Sequence, residues 1–262
     1  MRGRCQPVYA PLVDRLLTVI SPWHCVLCGD PAAGMDLCKD CLADLPWLGH
    51  TCRGCGMPLP DPGLRLCGSC LGQSHGHLRG HLHGDSHGHD LQPAAPDSCV
   101  IALVYEYPVA QMLAALKFRH ELTYARVLGE LLSMRLHEAL LNKEIMLPDM
   151  LLPVPLHPFR QMRRGFNQAE LIAGHAARII GLPIHRNILR RVRNTPTQMG
   201  LRRAARLRNL RNSFTVRGDL NGTKIALLDD VVTTCTTVRE IARVLKQKGA
   251  QEVQVWAVAR TV

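Results

Sequence analysis

Apolar and polar positions alternate in blocks along the C-terminal part of the chain, and the blocks predict strands and helices in turn. Short, mostly apolar runs typical of buried strands lie at 99–105, 150–155, 224–230 and 253–259. Segments with helical character lie between them, at 108–117, 123–141, 167–180 and 237–248. Strands that alternate with helices favour a mainly parallel sheet with helices on both faces. We therefore predict an α/β fold for residues 98–262.

The N-terminal part of the chain has a different pattern, dominated by cysteine. Eight of the eleven cysteines form four C-x-x-C pairs, at Cys25 and Cys28, Cys38 and Cys41, Cys52 and Cys55, and Cys67 and Cys70. Two such pairs supply the four thiolates of a tetrahedral zinc site. The sequence therefore predicts about two structural zinc ions.

The pairing of these cysteines has alternatives. Two consecutive zinc ribbons suit the gaps between the pairs, and a crossed arrangement joins pair one with pair three and pair two with pair four. A disulfide framework would need an oxidising compartment, and no export signal is visible. A catalytic zinc is disfavoured because four thiolates leave no open position for water. Zinc here is expected to hold a small fold together.

Composition shifts along the chain predict four regions. They are an N-terminal helical segment at 1–22, a double zinc ribbon at 23–72, a histidine-rich flexible linker at 73–97, and the α/β domain at 98–262. Six histidines between 75 and 89 are expected either to bind metal weakly or to serve only as a spacer. No uncharged apolar run approaches ~18 residues, so we expect a cytoplasmic protein without a membrane span.

Positive charge is concentrated in one stretch. The chain has a formal net charge of +11, and residues 160–211 contain thirteen arginines, no lysine and a single acidic residue, Glu170. Arginine binds phosphate and pyrophosphate with a forked guanidinium, although a solvated helix face is an alternative. No aromatic residue lies between 167 and 213, whereas proteins that bind single strands usually interleave aromatics for base stacking.

The segment 225–238 reads IALLDDVVTTCTTV, which is a strand, an acidic pair, a hydroxyl-rich loop and the start of a helix. Ligands of open parallel sheets bind at the carboxyl ends of the strands. Threonine hydroxyls and helix N-terminal amides suit a phosphate, and the two carboxylates suit ribose hydroxyls or Mg²⁺ held through water. The alternative is that Thr237 only caps the helix with Glu240, while the aspartates are solvated.

With its neighbours, this segment resembles a known family. LLDDVVTTCTT is similar to the phosphoribosyl pyrophosphate (PRPP) motif of type I phosphoribosyltransferases. RRGFNQAELIA, LKF, TQ and NLRNSF narrow the resemblance to the ComF/GntX family, whose N-terminal double zinc ribbon matches the cysteine pairs. The resemblance spans about residues 25–262, apart from the histidine-rich insert. It implies a type I phosphoribosyltransferase-like domain behind a double zinc ribbon.

The resemblance also implies roles for particular residues. Asp229 and Asp230 would hold the ribose hydroxyls of PRPP. The loop around the 5′-phosphate would comprise Thr233, Thr234, Cys235, Thr236 and Thr237. The pyrophosphate loop would include Val154 and Pro155, with Arg163 and Arg164 on the diphosphate. A lid or acceptor side would include Lys117, Phe118, Arg193, Thr197 and Gln198. Mg²⁺ would accompany PRPP.

One position departs from the family pattern, because Cys235 stands where the family usually has glycine. Glycine permits a positive φ or a close backbone approach in phosphate loops. A reactive thiol is an alternative interpretation of Cys235. We expect a phosphoribosyltransferase linked to competence and the use of external DNA. The alternative is a protein that binds PRPP or single-stranded DNA without catalysis, with a DNA-uptake or recombination protein as a partner.

Overall fold

The computed structural model describes residues 23–72, 95–193 and 212–262. The predicted N-terminal helix at 1–22 and most of the predicted linker, residues 73–94, lie outside these ranges. By its contacts the chain divides into two compact units, 1–45 and 46–262. This division separates the first four predicted zinc ligands from the second four.

The described part of the first unit is small and contains one short helix. Helix α1, Lys39–Ala43, begins after Cys38, whose sulfur accepts a hydrogen bond from the amide of Cys41. A turn between Cys25 and Gly29 closes with a backbone hydrogen bond of 2.9 Å. The C-x-x-C spacing therefore produces tight turns that leave their sulfurs on one side.

The second unit is built on a parallel sheet of four strands in the order β1–β6–β5–β2. The strands are β1 (Ser98–Val104), β2 (Met150–Pro153), β5 (Lys224–Val232) and β6 (Glu252–Arg260). Almost every residue of β1 and β6 is buried, since both faces of the sheet are covered. This explains the nearly continuous apolar runs in the sequence and confirms the predicted fold class.

The helices cover the two faces. They are α2 (Val109–Ala114), α3 (Thr123–Leu141), α4 (Pro158–Arg164), α5 (Gln168–Ile180) and α6 (Thr236–Gln247). Helices α3 and α5 pack on each other and on the sheet. Helix α6 shares the opposite core with β5 residues such as Ile225 and Leu227. Strand alternation places these two side chains on one face and their neighbours, Ala226 and Leu228, on the other.

Several elements differ from the predicted pattern. The helix predicted at 108–117 changes after α2 into a π-helical turn, Ala115–Arg119, which ends at His120 with a φ of 59°. Helix α4 and an antiparallel pair of short strands, β3 (Leu189–Arg191) and β4 (Phe214–Val216), are absent from the predicted pattern. Both strands have only three residues, too few for a pattern with period two to stand out.

Residues just before the second cysteine cluster run along β1. The amide of Leu48 donates to the carbonyl of Ala102 at 2.9 Å, and the amide of Val104 donates to the carbonyl of Pro46 at 2.8 Å. Trp47 forms an antiparallel bridge with Leu103 between these two bonds. The free side of β1 is therefore paired along these residues.

Candidate functional site

The eight paired cysteines form two separate clusters. One contains Cys25, Cys28, Cys38 and Cys41, and the other contains Cys52, Cys55, Cys67 and Cys70. In each cluster the sulfurs lie within 4.8 Å of one another. The consecutive arrangement is therefore the one present, and the crossed alternative is wrong.

The spacing of the sulfurs fits zinc. A Zn–S bond of about 2.3 Å in a tetrahedron places two sulfurs about 3.8 Å apart, and Cys28 and Cys38, like Cys55 and Cys67, are 3.7 Å apart. The amide of Cys67 also donates to the sulfur of Cys52 at 3.2 Å, which favours a thiolate there. All ten cysteines in the described ranges are free thiols. Both clusters therefore suit structural zinc, as predicted.

The acidic pair lies near the carboxyl end of β5, where its side chains reach neighbouring elements. Asp230 is 5% exposed, and its Oδ2 lies 2.5 Å from Nζ of Lys117, on the π-helical turn. Asp229 is partly buried, and its Oδ1 accepts from the amide of Asp230 at 2.9 Å. Lys117, predicted on the acceptor side, thus contacts the carboxylate predicted to hold ribose.

The two carboxylates have different proton affinities. Burial raises the pKa of Asp229 well above its ordinary value, and the charge of Asp230 adds to this. Burial also acts to raise the pKa of Asp230, but the Lys117 ammonium together with hydrogen bonds from Asp229 and the Val231 amide leaves that pKa below its ordinary value. Asp230 is therefore held as an anion, whereas Asp229 takes up a proton more readily. Such a pair can accept and donate hydrogen bonds to hydroxyl groups.

The threonine-rich loop, residues 233–237, leads from β5 into α6. Helix α6 begins at Thr236, and Cys235 is its N-cap with a φ of 57° and no side-chain cap bond. Thr237 is therefore inside the helix, and Glu240 accepts instead from the amide of Asn212 and pairs with Arg243. The alternative in which Thr237 and Glu240 only cap the helix is wrong. The hydroxyls of Thr234 and Thr236 lie 2.8 Å apart, and their loop precedes the free amides of the helix.

The predicted pyrophosphate loop follows β2. The amide of Val154 donates to the carbonyl of Leu228 on β5 at 2.8 Å, so this loop starts beside the strand that carries the aspartates. Asn167, the N-cap of α5, donates from Nδ2 to the carbonyl of Val154 at 3.0 Å. Pro155 is half-buried, and Arg163 and Arg164 end helix α4 close by in the sequence. The specific RRGFNQ motif thus connects this helix to the loop.

Two arginines, Arg164 and Arg191, lie near enough to the acidic pair for its charge to act on them. Burial lowers the pKa of Arg164 and of Arg191. The charge of Asp230 acts in the opposite direction on Arg164, and the charge of Asp229 does so on Arg191. Arg160 also influences both arginines. Arg160 and Arg191 were not among the predicted site residues. Arg191 can be anticipated from the sequence only through the density of arginine in 160–211, because the sequence does not reveal which arginines lie near Asp229 and Asp230.

An exposed aromatic side chain borders this group. Phe118 is 71% exposed and lies beside Lys117 on the π-helical turn. The guanidinium of Arg164 is 5.7 Å from the centre of its ring. Phe166 contacts His120 edge to face, with ring centres 5.5 Å apart. Arg193 is exposed, while the predicted Thr197 and Gln198 lie outside the described residues.

A cavity of about 610 Å³ lies elsewhere, at the amino end of β1. Its lining includes Arg53, Ser98, Arg135 and Glu144. Arg135 is paired with Glu144 at 2.7 Å, so part of its charge is already compensated. Ligands of parallel sheets bind at the other edge, where the strands end. We therefore place the candidate site at Asp229 and Asp230.

The two aspartates should have opposite effects on the stability of the ligand-free protein. At pH 7 Asp229 opposes folding, because its pKa is higher in the folded than in the unfolded chain, so Asp229→Asn should stabilise, and the gain should vanish as the pH falls towards about 4. Asp230 stabilises above its unfolded pKa and loses that effect as the pH falls through its lowered folded pKa. Asp230→Asn should cost about 3 kcal/mol at pH 7, since it breaks a largely buried ion pair.

Thermal unfolding of both variants at pH 4 and pH 7 measures these effects. Asp219→Asn is a suitable control, because Asp219 is exposed and bonds only to Asn221 among the contacts described. If Asp230→Asn has the same melting temperature as the wild type at pH 7, the ion pair with Lys117 does not stabilise the fold. The assignment of Asp230 as the aspartate held ionised is then wrong.

Within the three described ranges, no helix combines the length and the apolarity that crossing a bilayer requires.

Residues 16–71 match a family model described as a double zinc ribbon domain.

The chain is similar to known proteins over most of its length. It is 34% identical to Competence protein F of Haemophilus influenzae, over 86% of this chain and 90% of that protein. It is 33% identical to DNA utilization protein YhgH of Salmonella typhimurium, over 94% of this chain and 100% of that protein. Among solved structures, purine phosphoribosyltransferase from Pyrococcus horikoshii Ot3 matches weakly, with 18% identity and a TM-score of 0.33 over 51% of this chain and 73% of that chain.

Proposed function

The chain belongs to the ComF/GntX family, with competence protein F and DNA utilization protein YhgH as relatives, and from that premise we propose that it binds PRPP with Mg²⁺ at the carboxyl edge of its sheet. The observation that carries the proposal is the arrangement around Asp229 and Asp230. A carboxylate pair suited to ribose hydroxyls is followed by a hydroxyl-rich loop at a helix start, and its charges act on Arg164 and Arg191. PRPP presents the matching groups in the same order.

Charge supports a ligand with several phosphates. The charges of Lys117, Arg164 and Arg191 interact with the two carboxylates, of which Asp229 takes up a proton more readily. The excess positive charge suits a pyrophosphate group, which arginine binds with two parallel hydrogen bonds. The loop at 233–237 offers hydroxyls and free helix amides to the 5′-phosphate.

The donor set also fits Mg²⁺ carried by the ligand. Mg²⁺ prefers carboxylate oxygens and water, and it commonly binds through one or two carboxylates together with substrate phosphates. Asp230 is held ionised and is the natural oxygen donor. When bound, Mg²⁺ would neutralise charge on the departing pyrophosphate.

For transfer, the residues of this chain would orient PRPP and stabilise its leaving group. The acidic pair would fix the ribose, and Arg163, Arg164 and Arg191 would bind pyrophosphate as its bond to the anomeric carbon breaks. An acceptor amine or base would attack that carbon from the side of Lys117 and Phe118. A cytoplasmic role in competence and the use of external DNA, with a DNA-uptake protein as partner, completes the proposal.

The test has two arms. Titration calorimetry with PRPP, with and without Mg²⁺, reports binding. Pyrophosphate release in a screen of nucleobases and amines reports transfer. Saturable binding without release would leave a PRPP-binding protein, whereas the absence of saturable binding would overturn the proposal.

A second candidate function is binding of single-stranded DNA, favoured by the exposed ring of Phe118. Exposed apolar rings are costly in water, and this one is flanked by an arginine and lies beside the arginine-rich site. Bases stack on aromatic side chains with about 1–3 kcal/mol each, independently of sequence. Phe118 therefore supplies an aromatic ring for stacking, which residues 167–213 lack.

Phe118→Ala should weaken binding of an oligo-dT strand by about tenfold while leaving binding of an abasic strand of equal length unchanged. The abasic strand keeps the phosphates, so it isolates stacking from charge. Leu141→Ala removes another exposed apolar side chain, 81% exposed at the end of α3, and is the matched control. Fluorescence anisotropy at two salt concentrations measures both strands. Equal loss for the two strands would exclude Phe118 as a stacking platform.

A further inference from the structure

The threonine-rich loop touches the second cysteine cluster, although the two lie far apart in the sequence. The sulfur of Cys235 lies 3.4 Å from the carbonyl oxygen of Cys55, to which it donates. One turn further along α6, Nη2 of Arg239 donates to the sulfur of Cys70 at 3.5 Å. The start of α6 therefore contacts two of the four residues that would bind the second zinc ion.

The threonine-rich loop and the first turn of α6 are joined by a main-chain hydrogen bond between two buried residues. The amide of Arg239 donates to the carbonyl of Cys235 at 2.9 Å, which is a main-chain bond of the first helical turn. Both residues are buried, at 5% and 6% exposed. A shift of the cysteine cluster would therefore be transmitted to both ends of this turn, and so to the amides that face the candidate phosphate position.

The backbone of Cys235 depends on these contacts. Its φ of 57° lies in the left-handed region, which costs a residue with a Cβ about 1–2 kcal/mol. The side chain compensates, because its sulfur contacts Cys55 and accepts from Nη1 of Arg260 at 3.1 Å. Glycine would avoid the cost but would lose both contacts. Cysteine at this position therefore costs backbone strain but provides a contact with the second cysteine cluster.

The ribbon side of this contact is held in place by the knuckle turn. The amide of Gly56 donates to the carbonyl of Cys52 at 2.7 Å and its φ is 70°. A Cβ at Gly56 would clash with Ile101 of β1, so the turn is seated directly on the sheet. Such turns keep their shape when metal holds the thiolates, since binding and folding are coupled in small zinc sites. The position of the Cys55 carbonyl therefore depends on zinc.

We propose that zinc at the second cysteine cluster regulates the phosphate affinity of the threonine-rich loop, with Cys235 as the positioning residue that couples them. This inference rests on the proposed function, which gives the loop its ligand. Coupling between two binding sites is reciprocal. A ligand that orders the loop must therefore tighten zinc at the second cluster by the same factor.

Zinc release tests the coupling without any enzymatic activity. The assay uses the full chain carrying Cys38→Ser and Cys41→Ser, so that only the second cluster releases zinc to a coloured chelator. Weakly held metal is first removed by dialysis against citrate. We expect a gain in zinc affinity of about tenfold, within the usual range for coupled sites, to fall on the dissociation step, so PRPP with Mg²⁺ should slow release by about tenfold.

Cys235→Gly separates coupling from binding. This variant relieves the backbone cost but loses both sulfur contacts, so PRPP at a concentration that saturates the variant in calorimetry should no longer slow zinc release. Without ligand, its zinc should leave about threefold faster or more, because a contact to Cys55 is lost. Gln247→Ala, exposed on the last turn of the same helix, is the control and should behave as the parent.

The outcomes distinguish this inference from the proposed function. If PRPP fails to bind the parent, the proposed function fails. The zinc-release rates of Cys235→Gly and its parent without ligand still test whether the contact between Cys235 and Cys55 stabilises the zinc site. If PRPP binds both proteins but slows zinc release equally, Cys235 is not the connection. If release is unaffected by ligand and by Cys235→Gly, the cluster and the loop are independent and the inference is overturned.

Discussion

Replacing Asp229 and Asp230 together by asparagine should abolish the binding of PRPP with Mg²⁺ measured by titration calorimetry. Asparagine keeps the size of aspartate but removes the negative charge, and it replaces one of the two acceptor oxygens with an NH₂ donor. A hydrogen bond to a charged group contributes about 1.5–3 kcal/mol, so two such losses predict an affinity at least about a hundredfold lower.

The control for this double change is again Asp219→Asn, which removes a carboxylate near the opposite end of α6 and should bind like the wild type. Circular dichroism must show that the double variant is folded, since Asp230→Asn alone is expected to lower stability. Equal affinity in the folded double variant and the wild type would remove Asp229 and Asp230 from the ligand site.

Loss of the second zinc site should destabilise the whole sheet unit. Cys52, Cys55 and Cys70 belong to the same buried core as Ile101 and Val255 of the sheet. Cys52→Ser with Cys55→Ser should reduce bound zinc from about two ions to one, and it should lower the melting temperature by more than about 10 °C. Metal analysis and thermal unfolding on the same sample measure both.

Two comparisons give this result its meaning. Cys38→Ser with Cys41→Ser also removes one zinc, but it should spare the melting of the sheet, because these residues belong to the other compact unit. Cys99→Ala removes a buried thiol outside both clusters and should cost far less. If the second-site variant loses its zinc and melts like Cys99→Ala, the metal does not support the sheet unit.

The features that the sequence predicts well are those produced by local pattern. The first part of β5, from Ile225 to Leu228, is buried, so it is apolar throughout and can be recognised as a strand. The cysteine pairs are recognisable because the turn that aims two sulfurs at one ion needs two intervening residues. Asn167 at the start of α5 follows the ordinary rule for helix caps.

The features that escaped prediction depend on distant parts of the chain. Lys117, which contacts Asp230, lies on the π-helical turn after α2, and no simple spacing rule signals that turn. The environment of Cys235 includes Cys55, 180 positions away, so the sequence of the loop alone does not explain why cysteine stands in place of glycine. Short elements such as β3 and β4 are stabilised by their mutual pairing rather than by their own sequences.

The pairing of residues 46–48 with β1 determines where this protein can be divided for study. β1 is the last strand on its side of the sheet, and an uncovered outer strand invites other chains to add to it. A fragment that starts at residue 98 would expose the amides and carbonyls that now bond to Pro46 and Leu48. Such a fragment should aggregate through β1, so an expression boundary belongs before residue 46, with the second cysteine cluster retained.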